Sequence, residues 1–305
     1  MTIKTTLSAL AICAAAAPAF AQCDEVTFSD VGWTDITATT AATTVILDAL
    51  GYETDIKVLS VPVTYTSMAE GDIDIFLGNW MPTMEGDIAP YREAGTVVTV
   101  RENLEGAKYT LAVNKAAMDL GIADFGDIAS QREALEGKIY GIEPGNDGNR
   151  LIMDMIEGNA FDLEGFEVVE SSEQGMLAQV ARAYEKKEPV VFLGWEPHPM
   201  NANFDLKYLP GGEDFFGGEG QVYTTTRKGY VEECPNVGKL LTNLKFTLPM
   251  ENEIMGAILD DGEDADDATM AWMKANPDVL ETWLDGVTTK GGEPGLAAVK
   301  SAFGL

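Results

Sequence analysis

Short apolar runs separated by helical patterns occupy most of the chain. Seven of them, at residues 26–29, 54–61, 73–77, 110–113, 138–142, 166–169 and 190–193, have the length and composition of strands. Between them, residues 36–50 read as a helix that stops at Gly51, a glycine placed to end it. Residues 173–187 place Met176, Leu177, Val180 and Tyr184 on one helical face. Beyond Pro235 the pattern turns to helices alone, at 235–246, 251–259, 267–274 and 277–284. Alternating strands and helices predict an α/β fold of βα units with a mainly parallel sheet, here carrying a helical C-terminal tail.

The start of the chain has a different pattern. Lys4 is the only charged side chain before Asp24, and the apolar stretch 7–20 runs into Ala19-Phe20-Ala21. Residues 1–21 therefore read as a secretory signal peptide cleaved after Ala21. A lipid anchor on Cys23 is the rival reading, for which Gln22 is a poor preceding residue. The apolar run is shorter than the roughly 20 residues that span a bilayer. Cys13 leaves with the leader, and in an oxidising compartment the remaining pair, Cys23 and Cys234, is expected to form a disulfide. Two buried free thiols are the alternative. A bridge would hold the N-terminus against a segment far along the chain, so the first domain is expected to be discontinuous.

Composition narrows the partners. Fifty acidic against 20 basic side chains give a formal charge of −30. Nucleic acid is not expected as a partner, because neutralising phosphates takes clustered Lys and Arg, whereas a small cation is attracted. With 46% apolar residues over 305 positions, the chain is long enough for one large or two medium folded domains. A single histidine, His198 in Pro197-His198-Pro199, argues against His-dependent catalysis or metal binding and reads as a residue bonded to backbone or a neighbouring side chain. There is no nucleophile elbow, phosphate loop or dinucleotide fingerprint. The acidic run from Asp260 to Asp267 lacks the alternating ligand order of a calcium loop. No enzymatic activity, metal or cofactor is expected.

The tryptophans carry the chemistry. Phe76-Leu77-Gly78-Asn79-Trp80-Met81-Pro82 is echoed by Phe192-Leu193-Gly194-Trp195-Glu196-Pro197, each read as a strand, a glycine, a tryptophan and a helix-starting proline. Such an echo is expected of two similar lobes facing one another across a cleft. Trp33 follows the first strand, so three indoles fall at carboxyl ends of strands, where open α/β sheets bind ligands. Trp272 and Trp283 lie within helical patterns and read as packing residues. Indole faces attract quaternary ammonium groups at up to ~2 kcal/mol each. A trimethylammonium group has no N–H to donate, so aromatic faces, methyl packing and a negative field must recognise it.

Four segments, Gly32-Trp33-Thr34-Asp35, the stretch from Gly71 to Pro82, Glu143-Pro144-Gly145 and Gly194-Trp195-Glu196-Pro197-His198, resemble in order and spacing the quaternary-amine substrate-binding proteins of ABC transporters. The choline-binding members are the most similar, and the resemblance extends over essentially the whole chain after residue 21. It implies a two-lobed periplasmic binding protein fold, type II-like, each lobe a mainly parallel sheet flanked by helices. The lobes would comprise residues 22–108 plus 212–305, and residues 109–211, the second crossover falling between Tyr208 and Thr224. It also implies a monomer that captures choline in the periplasm and delivers it to an inner-membrane permease. By the same likeness Trp33, Trp80, Tyr109 and Trp195 form the cage, while Asp35 and Asn146 bind the ligand's other end. An ionised Asp35 accepts a hydroxyl proton but repels a carboxylate, which favours choline over glycine betaine; an N-cap of the helix near Ile36 is its alternative role. Hydrolysis of choline esters lacks a nucleophile here, and a ligand-loaded adaptor for a chemoreceptor would use the same cleft.

Overall fold

A computed structural model describes residues 23–305; the leader expected at 1–21, with Cys13, lies outside the described residues. The strands are β1 (Glu25–Asp30), β2 (Glu53–Val58), β3 (Ile75–Met81), β4 (Val97–Asn114), β5 (Lys138–Tyr140), β6 (Glu167–Val169), β7 (Val191–Glu196), β8 (Leu206–Tyr208) and β9 (Gly220–Arg227). The helices up to β9 are α1 (Thr34–Ala49), α2 (Val61–Glu70), α3 (Glu85–Glu93), α4 (Lys115–Asp119), α5 (Asp147–Glu157), α6 (Glu173–Lys186), α7 (Met200–Asn203) and α8 (Glu213–Phe216). The tail carries α9 (Tyr230–Glu233), α10 (Pro235–Asn243), α11 (Leu248–Leu259), α12 (Ala265–Ala275), α13 (Asp278–Trp283) and α14 (Gly295–Phe303).

Two sheets share one long strand. In the first, β2, β1 and β3 are parallel, and β9 returns antiparallel between β3 and the first part of β4. β4 then changes partner: Ala107 is its last residue opposite β9, and Lys108 its first opposite β7. In the second sheet β7 runs antiparallel to β4 and parallel to β5, β5 pairs with β6, and β8 lies along the end of β4. Each sheet therefore has a parallel βα portion and is completed by antiparallel strands, of which β8, β9 and the first part of β4 were not expected from the sequence.

Physical reasons account for those strands. Three register shifts interrupt β4 between Thr99 and Ala107, and each bulge resets the two-residue alternation by which a strand is recognised. Only its end, at 110–113, alternates cleanly. β9 buries Thr224, Thr225 and Thr226, polar by type but satisfied in place, as where the Thr225 hydroxyl donates to the Phe76 carbonyl. The strand expected at 54–61 stops at Val58, because Ser60 and Pro62 begin α2. The strands expected at 73–77 and 190–193 continue through Trp80 and Trp195, so those indoles stand within strands. Pro82 and Pro197 both follow cis peptide bonds, and neither starts a helix; α3 and α7 begin three residues later.

α1 is buried almost all round between the first sheet and the tail, where α11, α12 and α14 pack on it. Its threonines tolerate this because their hydroxyls bond back along the helix, Thr43 to Thr39 O and Thr44 to Thr40 O. It ends at Leu50 with Gly51 at φ 92°, as expected. Four tail helices fall where the pattern placed them, within a few residues, and α9 and α14 are additional. Cys23 and Cys234 are disulfide-bonded, Cα to Cα 5.8 Å, tying the lead-in to β1 to the α9–α10 junction. Among the described residues no helix is long and apolar enough to cross a membrane.

Candidate functional site

The loop after β1 is set by a carboxylate. Asp30 Oδ1 accepts from the Gly32 amide at 2.6 Å and Oδ2 from the Thr37 hydroxyl at 2.7 Å, with Gly32 at φ 83° in the region glycine adopts most readily. This turn delivers Trp33 as the N-cap of α1, in extended conformation, and places Asp35 in the first turn. Asp35 is therefore not the N-cap.

Trp80 reaches the same place from β3, and its indole nitrogen donates to Asp35 Oδ2 at 3.0 Å. The second sheet supplies the opposing wall. Tyr109 on β4 and Trp195 on β7 are directly paired across the strands, their rings 6.3 Å apart and nearly perpendicular. Tyr109 also lies 5.9 Å from Trp80 and is backed by Phe216 at 5.8 Å. A Cβ on Gly148 would collide with the Tyr109 hydroxyl, so only glycine leaves the ring its place.

These side chains face a small cavity lined by Trp33, Asp35, Trp80, Tyr109, Ile142 and Trp195. Five of the six residues expected at the site thus line one cavity, from its two opposing walls. Asn146 is not among them. It caps α5, its Oδ1 accepting from the Tyr109 hydroxyl and the Asn149 amide, both at 3.0 Å, and its Nδ2 donating to Asp147 at 3.1 Å. Sequence reasoning missed Ile142, which lies just past β5 and so at a strand's carboxyl end like the tryptophans. It also missed Glu143, whose Oε1 accepts from the Trp33 indole at 2.8 Å, although Glu143-Pro144-Gly145 had stood out as a motif.

The electrostatics are one-sided. Burial, with the charge of Glu173 adding to it, pushes the Asp35 carboxyl up to about 8 against the opposing Trp80 hydrogen bond. Burial likewise pushes Glu143 up to about 7 and Asp147 up to about 6, and raises Asp30. Glu251, buried on α11, is raised well above the usual range by burial and by Asp35. Asp35 Oδ1 has no hydrogen-bond partner. The lining contains four aromatic rings and a carboxylate, and no cationic side chain. A cation without N–H groups, presenting methyls to the rings and a donor to Asp35, satisfies every element of this wall.

Comparison with known proteins agrees with that chemistry. A structure described as an ABC-transporter choline binding protein in complex with choline is 69% identical, covers 92% of this chain and 98% of its own, and superposes with a TM-score of 0.91. A structure described as an ABC-transporter choline binding protein in an unliganded semi-closed conformation, also 69% identical and covering 93% and 99%, gives 0.86. The glycine betaine/carnitine transport binding protein GbuC of Listeria monocytogenes is 31% identical over 184 residues, 60% of this chain and 57% of that protein. The model of the OpuAC family, described as the substrate binding domain of ABC-type glycine betaine transport systems, matches residues 24–275. The fold is that of the two-lobed periplasmic binding proteins, and the chain belongs to the OpuAC family of substrate-binding domains that serve ABC importers of quaternary amines.

Proposed function

We propose that this chain binds choline in the cavity between its two lobes and delivers it to an inner-membrane ABC permease. The observation that carries the reading is Asp35, with one oxygen unpartnered, facing Trp33, Trp80, Tyr109 and Trp195 in a wall that has no cationic side chain. The rings take the trimethylammonium group and Asp35 accepts the hydroxyl proton. Asn146 orients Tyr109 and keeps the second hydrogen of its Nδ2 for the ligand's oxygen. Three or four rings at ~1–2 kcal/mol each and a charge-assisted hydrogen bond of ~1.5–3 kcal/mol, less the cost of immobilisation, correspond to roughly micromolar affinity, about −8 kcal/mol.

The lobe limits we take are 22–108 plus 212–305, and 109–211; the change of partner along β4 between Ala107 and Lys108 supports the first crossover. The protein acts as a monomer in the periplasm after loss of residues 1–21. The greater likeness to the choline complex than to the unliganded semi-closed form supports a closed arrangement of the lobes.

One observation favours glycine betaine as a second ligand. A carboxyl pushed up to about 8 holds a proton at neutral pH, and a neutral Asp35 can donate to a betaine carboxylate. Titration calorimetry with choline, glycine betaine and 3,3-dimethylbutan-1-ol, the neutral carbon analogue of choline, decides between them. Choline is expected to bind tightest and the neutral analogue at least tenfold more weakly. Equal binding of choline and its carbon analogue would remove the cation–π basis of the reading. A chemoreceptor recovered with the choline-loaded protein, and no permease, would favour the adaptor role.

A further inference from the structure

Glu173 opens α6 on the second sheet, fully buried, yet its carboxylate crosses to the first lobe. Oε2 accepts from the Thr34 amide at 2.8 Å, and Oε1 receives His198 Nε2 at 2.9 Å. The partners of His198 settle which nitrogen is protonated. Nδ1 accepts from the Met200 amide at 2.9 Å, so the ring proton of the neutral imidazole is on Nε2 and is donated to Glu173. Both carboxylate oxygens are therefore acceptors, the pattern of an ionised group.

Thr34 is the first residue of α1, and its N-cap, Trp33, has a side chain that cannot accept a hydrogen bond. The amide left over at this helix end is satisfied instead by Glu173, from the far side of the cleft. The carboxylate thus sits between the positive ends of two helices, α1 of 16 residues and α6 of 14. Thr34 lies between Trp33 and Asp35 in the chain, and the His198 ring packs edge-on against Trp195 at 4.8 Å. Other bonds cross the cleft, from Arg150 to Asp87 at 2.8 Å and from Trp33 to Glu143 at 2.8 Å, but Asp87 and Arg150 are partly exposed while Glu173 and His198 are not.

We propose that Glu173, oriented by His198, is the positioning residue that latches the lobes: its bond to the Thr34 amide joins Trp33 and Asp35 of one lobe to Trp195 of the other. This inference rests on the reading of the protein as a choline-binding protein that closes around its ligand. When the lobes part, the Thr34 amide and the Glu173 carboxylate separate and water solvates both. The bond consequently belongs to the closed state alone and sets how slowly choline leaves. Its charge is felt across the cleft, since Glu173 raises the proton affinity of Asp30, Asp35 and Glu143, and a cation in the cavity offsets that repulsion.

Thr34→Pro and Glu173→Gln test the bond from its two ends. Proline is tolerated at the first helical position and removes only the N–H there, and the extended backbone of Trp33 suits a following proline. The amide in Glu173→Gln keeps its one acceptor for the His198 N–H and turns its own N–H against the Thr34 amide. Choline dissociation is followed by stopped-flow tryptophan fluorescence, and the distance between spin labels at Glu70 and Glu164, one exposed position per lobe, is measured at saturating choline. Each variant is expected to release choline at least tenfold faster and to show a population with separated labels. The double variant should release no faster than about the faster single one, because both changes break one bond. Wild-type release rates with a single closed distance, or fully additive effects, overturn the latch. If the proline variant does not fold, the distances in Glu173→Gln still decide. Should the unaltered protein bind no choline in the preceding titration, the functional reading itself fails, and the latch with it; choline binding with unaffected variants refutes the latch alone.

Discussion

Raising the pH from 6 to 8 should strengthen choline binding, whereas a carboxylate of ordinary pKa, ionised throughout that range, would leave it unchanged. Asp35 is held at about 8 by burial and by Glu173. Below that value it is neutral; a trimethylammonium group against it favours the ionised form, so binding expels a proton. If the cation draws Asp35 below the working range, the apparent Kd scales as one plus the ratio of protonated to ionised Asp35. That ratio falls from about 100 at pH 6 to about 1 at pH 8, which bounds the gain at roughly fiftyfold. Opening of the cleft without ligand hydrates Asp35 and brings the gain below that bound, without changing its sign. Glu143, held at about 7 and bonded to Trp33, contributes in the same direction. Calorimetry at pH 6, 7 and 8 in two buffers of different ionisation enthalpy measures both Kd and the protons released, expected to approach one near pH 7. Asp35→Asn should bind more weakly and lose most of the pH dependence. A Kd that is flat or rises with pH, or an unchanged slope in Asp35→Asn, would refute the assignment of this proton to Asp35.

Trp80→Ala and Trp195→Ala are each expected to weaken choline binding at least tenfold by calorimetry, since a desolvated indole face is worth up to ~2 kcal/mol. Trp80→Ala should also move the pH dependence upward, because it removes the hydrogen bond that opposes the Asp35 shift. Gly148→Ala should displace Tyr109 and weaken binding by a similar factor, with circular dichroism unchanged. Replacing Cys23 and Cys234 by serine opens a link over 211 residues; chain entropy puts its contribution at about 5 kcal/mol, a fall of roughly 10–20 °C in Tm by scanning calorimetry. Without ligand, Tm should decline from pH 5 to pH 8, because Asp35, Glu143 and Asp147 bind protons more tightly folded than unfolded, so the stability present when they are protonated is lost as pH passes their raised values.

Much of the site was legible locally. Trp33, Trp80 and Trp195 stand at comparable places in short motifs, and a tryptophan near a strand's end announces itself by type and position. Ile142 was within reach of the same rule. Tyr109 was not, because its ring enters the cavity through its pairing with Trp195, a partner 86 residues away. Glu143, Glu173 and His198 resemble surface or incidental residues until folding places them against Trp33, Thr34 and one another. Asn146 was recognisable as polar and well placed, yet its direct contacts are with Tyr109, Asn149 and Asp147.

By itself the sequence determined what depends on composition and on neighbours along the chain: a strongly acidic protein, βα alternation, a helical tail, a pair of cysteines and indoles in or near the last residues of strands. Periodicity and turn chemistry act over a few residues, so they survive without a structure. Only the tertiary structure decided which strands run antiparallel, because bulges in β4 and buried threonines in β9 erase the local alternation. It alone decided the protonation of Asp35 as well. A pKa is set by desolvation and by charges brought near in space, and Trp80 and Glu173 reach Asp35 from two separate parts of the chain.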